Sequence, residues 1–377
     1  MNINLLWMCL LPFALSIATV FVVRGASTSD KQQMWMVSGG AFVVSIALIC
    51  AAFFMAKSAK TSDVEVWNGQ ITNKERVHDH YLRSYQCRCR TVTSGSGNNK
   101  TTSTQCDTCY EDRYTVTWTA NSTIGDFRIE HFDRGSKSVY SEPDPLFFTR
   151  IQQGDPCSRL NSYTNYIKAV PESLFRPSSE AVREKFADQV PSYPASIFDY
   201  YKINRVLAVG VKIPDLAEWN REVSMALRTI GTTKQANFVI VVVNTADPDY
   251  FYALQDAWVG AKKNDIVVVI GAPDFPSKAS WVGVMAMTDK ELFKVQLRDD
   301  LMDLPSLTAK AVVDTMVSNT NKTYQRKSMK DFQYLDAEID PPTWVIALVI
   351  ALVISIYLGI AYYFRTQISQ PTRRYRF

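Results

Sequence analysis

Three stretches of this chain contain no charged residue: Leu5 to Val23, Met36 to Ala56 and Trp344 to Phe364. Each runs for about 20 residues, and at about 1.5 Å of rise per residue an α-helix of that length crosses roughly 30 Å of hydrocarbon. A backbone in lipid must satisfy its own polar groups, so such runs are helices. Core helices of water-soluble proteins rarely stay apolar on every face for so long. The averages conceal this, because a mean hydropathy of -0.10 and a charged fraction of 21% suit a water-soluble protein. The sequence predicts an α+β integral membrane protein with three transmembrane helices, two N-terminal and one C-terminal, flanking about 285 residues.

Flanking residues refine the expectation. Trp344 opens the third run and Tyr357, Tyr362 and Tyr363 lie toward its end, where amphipathic rings favour the headgroup level. Pro341-Pro342 stops a preceding helix. The first run has an alternative reading as a signal peptide cleaved near Ala26-Ser27, but residues 1–4 carry no Lys or Arg. Arg365, Arg373, Arg374 and Arg376 follow the last span without an acid, which favours a cytoplasmic tail. Asp336, Glu338 and Asp340 precede that span, and Arg24 and Lys31 sit between the first two, in agreement. Lys57, Lys60, Lys74 and Arg76 point the other way. The balance places the intervening region outside, in the periplasm if the membrane is a bacterial inner membrane. With a net charge of +4 and no basic stripe interleaved with aromatics, nucleic acid is not an expected partner. The expected partners are the lipid bilayer and a protein of unknown identity, and a homo-oligomer fits as well.

The expected division is a two-span hairpin (1–57), a β-rich module with a cysteine cluster (58–170), a proline-containing connector (171–202), an α/β domain (203–320), a linker (321–342), the third span (343–364) and a basic tail (365–377). Val64-Glu65-Val66-Trp67 and Tyr114 to Thr119 read as strands, with Ser94 to Asn99 as a loop tip. Ser179 to Ala187 reads as a short helix in the connector. In the α/β stretch, Phe238 to Val243 and Ile266 to Ile270 are continuous apolar runs, as strands buried on both faces require. Val206 to Val211 and Trp281 to Met287 are two more strands. Between them Asp215 to Thr229 carries Leu216, Trp219, Val223 and Leu227 at helical spacing. Further helices are expected over Pro248 to Ala261, Asp289 to Leu301 and Thr308 to Ser318, and the alternation argues for an α/β sandwich.

Four of the seven cysteines cluster as Cys87-x-Cys89 and Cys106-x-x-Cys109. Two readings fit. Four thiolates satisfy the tetrahedral preference of a structural zinc ion. In an oxidising compartment the same residues form two disulfides, cross-paired because a bond between Cys87 and Cys89 is strained. Either way they staple a module with a small core. His78 and His80 lie upstream and read as surface residues.

The segment 203–305 resembles the TPM domain, found in bacterial membrane-anchored proteins and in a thylakoid protein described as an acid phosphatase. The resemblance rests on Asp215 to Asn220, on Phe238 to Val243 and above all on Leu254 to Val269. Where that family has Asn-Gly this chain has Asn264-Asp265, and a Gly-Tyr-Gly-Leu-Glu signature is absent. The order Trp67-Asn68-Gly69-Gln70, Cys87-Arg88-Cys89-Arg90 and Cys106 to Glu111 is similar to uncharacterised membrane proteins of tailed bacteriophages. The TPM resemblance implies a metal-dependent, phosphatase-like hydrolase as an alternative. Its candidate ligands for Ca²⁺ or Mg²⁺ are acids at strand ends, Asp247, Asp265 and Asp289, with Asp249 and Asp274 beside them. Against it, Asp247 and Asp289 stand where helix caps belong, and no Ser/His/Asp, phosphate-loop or H-E-x-x-H motif is present. The expected function is therefore that of a membrane-anchored interaction or scaffold protein, phage-encoded, presenting its TPM-like domain.

Overall fold

The charge-free runs become helices. In the computed structural model, which describes residues 3–22, 28–94, 101–135, 142–171, 178–194 and 204–369, the chain opens with α1 (Ile3–Val22) and α2 (Thr28–Thr61). Next come β1 (Ser62–Ser94), β2 (Thr101–Ser122), β3 (Phe127–Gly135), α3 (Leu146–Arg150), β4 (Pro156–Thr164), α4 (Tyr166–Ala169) and α5 (Glu180–Phe186). The α/β stretch holds β5 (Val206–Val209), α6 (Leu216–Lys234), β6 (Asn237–Val243), α7 (Tyr250–Ala257), β7 (Asp265–Gly271), β8 (Trp281–Ala286), α8 (Leu292–Met302) and α9 (Ala309–Thr323). A 3₁₀ helix (Met329–Glu338) occupies what reads as a linker, and α10 (Thr343–Ser369) ends the description. The loop tip at 95–99, Arg24, the Ala26-Ser27 cleavage site and Arg373, Arg374 and Arg376 lie outside the described residues.

The chain divides into two compact units, one of Met1–Glu65, Ser162–Glu180 and Lys327–Phe377, the other of Val66–Asn161 and Ala181–Arg326. In the first, α1, α2 and α10 pack around Met8, Ile49, Val349, Val353 and Tyr357. The Ser16 and Tyr357 hydroxyls hydrogen-bond across that core at 2.8 Å. Ile49 meets Val349 and Val353 while Met34 meets Phe364, so α10 runs antiparallel to α2. Two helices, over Lys31–Thr61 and Thr343–Gln367, are long and apolar enough to cross a membrane, and α1 has a shorter apolar stretch, Leu5–Phe21.

The second unit joins what the sequence divides into a β module and an α/β domain. Its first sheet has the order β3-β2-β1-β4, its second β5-β6-β7-β8. In the second sheet β5, β6 and β7 are parallel and β8 is antiparallel to β7. The uniform apolarity of β6 and β7 is explained by helices on both faces. Phe238, Ile240, Val242, Ile266, Val268 and Ile270 face α6, α8 and α9. Val239, Val241, Val243, Val267 and Val269 face α7 and Phe186 of α5. Local signals set the helix ends. Asp215 caps α6 by accepting from the Glu218 N–H at 2.9 Å, and Thr308 caps α9 by accepting from Ala311 at 3.3 Å. Gly231 of α6 lies against β1, where a Cβ would sit 2.3 Å from the Asn68 carbonyl oxygen, so only glycine allows that approach.

Candidate functional site

The most distinctive construction is an arm. β1 and β2 pair antiparallel from Ile71↔Ser122 to Ser94↔Thr101. The described third strand pairs with β2 as far as Arg113↔Gly135. Among the described residues the two strands have only each other beyond Tyr81 and Arg113, over residues 82–94, about 40 Å at a strand's rise. An isolated two-stranded ribbon is marginal in water. The four clustered cysteines supply what the ribbon lacks. Cys87 pairs with Cys109 and Cys89 with Cys106 at disulfide-bonding distance. This is the cross-pairing expected of the disulfide reading, and it engages all four sulfurs. Among the described residues no group of three or more His, Cys, Asp or Glu side chains is placed to hold a metal ion, so the zinc reading gains no support. The register breaks between Cys87 and Arg90, and Arg88 there adopts φ 45°. That irregularity lets Cys89 turn toward Cys106 even though Cys87 is only two residues away.

Leu82 and Tyr110 are 68% and 66% exposed. Leu82 stands opposite Asp112 and Ser84 opposite Tyr110, so the two apolar side chains are diagonal neighbours on one face of the ribbon. Tyr81 and Tyr85 are exposed on the other. His80 lies against the Tyr114 ring, at 6.1 Å between centroids, away from the cysteines.

The candidate acids do not converge. Asp247 follows β6, where its carboxylate accepts from the Asp249 N–H at 3.0 Å and pairs with Lys185. The Lys185 ammonium, then that N–H, hold its carboxyl below the usual range. It thus plays a cap-like role, although α7 itself starts only at Tyr250. Asp274 also lies at this carboxyl edge, in the exposed loop after β7. Asp265 is the first residue of β7 and pairs with Asn237, the first of β6, so it occupies the opposite edge, about 20 Å away along the strands. Asp289 follows β8, whose Ala286 pairs with Ile266, which puts it at that opposite edge too, exposed and ahead of α8.

Asp265 belongs to a buried polar network that sequence reasoning missed. Arg205, fully enclosed just before β5, donates to Asn68 Oδ1 at 2.5 Å, Ser158 Oγ at 2.6 Å and Asn237 Oδ1 at 3.1 Å. Asn237 in turn donates to Asp265 Oδ1 at 2.9 Å. The other carboxylate oxygen accepts from Tyr193 OH at 2.7 Å and the Lys262 N–H at 2.8 Å. Burial pulls the Arg205 guanidinium down to about 10, still charged at neutral pH. Burial also pushes the Asp265 carboxyl up to about 6, against the opposing hydrogen bonds. The network ties β1 and β4 to the amino edge of the second sheet. Its cavity is lined by Asn68, Cys157, Ser158 and Arg205 and holds only about 10 Å³, too little for a ligand, so its role is structural.

A raised folded-state pKa means that protonated Asp265 favours the fold. The contribution is complete below the unfolded carboxyl's value near 3.9 and is lost as pH rises through about 6. Relative to Asp265→Asn, the wild-type chain should lose stability between those limits, by about 3 kcal/mol from a shift of roughly two units. Denaturant titrations at several pH values check this, and a difference independent of pH would refute the assignment.

Comparison with known proteins adds no family, since no family model, curated protein or solved structure matches the chain.

Proposed function

We propose that the chain is a membrane-anchored interaction protein whose disulfide-stapled arm meets a protein partner on the oxidising side of the bilayer. The arm is the observation that carries this reading, because disulfides persist in oxidising compartments and the stapled ribbon holds Leu82 and Tyr110 exposed side by side on one face. The helical bundle supports the anchoring. Leu6, Trp7, Leu10 and Phe13 of α1, Val43, Val44 and Phe54 of α2, and Leu348, Leu352 and Leu358 of α10 all face outward. Water-soluble bundles put polar residues there, and lipid is the solvent that suits this surface. Exposed rings bracket the span, with Trp344 at one end of α10 and Tyr362 and Tyr363 at the other. Trp344 and Tyr363 stand about 29 Å apart along the helix, close to the thickness of a hydrocarbon core. In this reading all three helices span the membrane, the region between α2 and α10 is periplasmic in a bacterial host, and the gene is of phage origin.

The test is a photo-crosslinking residue at Leu82 or Tyr110 in cells. A discrete protein adduct at both positions is expected, absent from an exposed control site such as Asp314. Membrane-impermeant thiol reagents should reach a cysteine placed at Arg83. Equal adducts at arm and control, or a position 83 shielded in intact cells, would sink the reading.

A further inference from the structure

β8 is the last strand of its sheet, and its outer edge is undefended. Trp281–Ala286 contains no charged residue and no proline. Its pairing with β7 runs unbroken from Gly271↔Trp281 to Ile266↔Ala286, without a bulge. Natural sheets blunt exposed edges with just such devices. Among the described residues no strand pairs with that edge.

Two walls flank it. Pro248, Phe251 and Tyr252 stand on one side, Lys294, Val295 and Arg298 of α8 on the other, and with Trp281–Val284 they enclose a groove of about 260 Å³. The strand sorts its own side chains between these walls. Trp281 and Met285 pack toward α7, Val282, Val284 and Ala286 toward α8. At Gly283 a Cβ would lie 2.2 Å from the Phe251 ring, so that ring closes over the bare backbone. A strand added to this edge sends alternate side chains to the same two sides. One set meets the aromatic wall, and the other meets two cations one helical turn apart. Glu291 and Asp299 pair with those cations along α8, but neither lines the groove.

We propose that the β8 edge binds an extended segment of a protein partner by strand addition, and that this segment alternates apolar residues toward α7 with acidic residues toward α8. Backbone hydrogen bonds supply the affinity, and the two walls read the alternation. A second copy of β8 is a poor occupant. It carries no acid, and pairing two such edges brings both Lys294/Arg298 walls to one seam. This site is independent of the arm, so chains lacking the arm disulfides should retain it.

The experiment uses the full chain in detergent micelles and two fluorescein-labelled, acetylated peptides, one alternating valine with glutamate, the other valine with lysine. The glutamate peptide is expected to bind and to slow hydrogen exchange at residues 281–286, and the lysine peptide to do neither. Lys294→Glu combined with Arg298→Glu, both on the helix surface, should weaken the glutamate peptide by about tenfold or more and transfer the preference to lysine. Equal affinity for both peptides, unchanged exchange at 281–286, or a preference that survives the charge reversal overturns the proposal. So does a dimer through β8 that the glutamate peptide fails to dissociate.

Discussion

Arg205→Ala is expected to destabilise the second unit by about 3–5 kcal/mol, because three buried hydrogen bonds from a charged donor are lost together. The guanidinium holds Asn68 of β1, Ser158 of β4 and Asn237 of β6 at once. Its removal takes a charged donor from three buried acceptors, and although Asn68 Oδ1 keeps the Ser158 hydroxyl and Asn237 Oδ1 keeps the Asn68 amide, Ser158 Oγ loses its donor. Arg205→Lys should recover little, since one ammonium cannot reproduce a planar fork aimed at separate acceptors. Hydrogen exchange is the appropriate measurement. Amides of β5, β6 and the base of β1 should lose protection together, because a shared network couples them. A loss below about 1 kcal/mol, within the range of ordinary surface changes, would show the network to be incidental.

The second large effect concerns the arm. Replacing Cys87, Cys89, Cys106 and Cys109 with serine should unpair residues 82–94 and 101–112 while β3 still holds 113–120. In the chain-entropy model, closing a loop of about 20 residues is worth about 3 kcal/mol, more than a bare ribbon has to spare. Limited proteolysis should then cut between Tyr81 and Arg113, with the rest of the unit intact. Partner crosslinking from Leu82 should fall with it. Serine variants that keep the arm resistant to protease would mean that cross-strand pairing alone sustains it.

These expectations reflect what the sequence could and could not convey. Strands β6 and β7 were legible because burial on both faces writes an unbroken apolar run, and α6 because Trp219, Val223, Leu227 and Ile230 recur at helical spacing. The cysteine spacing revealed a staple, and its cross-pairing followed from the strain of the alternative. The length of β1 was not legible. A ribbon exposed on both faces carries no alternation, so a single strand from Ser62 to Ser94 reads as fragments. Nor was Arg205. Its burial depends on Asn68, 137 positions away, and no local pattern signals an arginine that contacts so distant a residue. Asp265 reads as an acid at a strand end, but which end is set by the direction of β7 in the sheet. That direction places it with Asn237 and away from Asp247. The buried network, and with it the union of the β module and α/β domain into one unit, therefore emerges only in three dimensions.

The two crosslinks of the arm are nested, with Cys89–Cys106 inside Cys87–Cys109. The chain between them is thus a ring within a ring, and its innermost stretch lies between Ser94 and Thr101. A peptide bond cut there opens both rings yet frees nothing, since either bridge keeps the halves joined. The protein would persist as a two-chain molecule, one chain carrying α1, α2 and β1 and the other everything from β2 onward, separable only by a reductant. The crosslinks thereby keep the two sides of the arm covalently joined through a break between them.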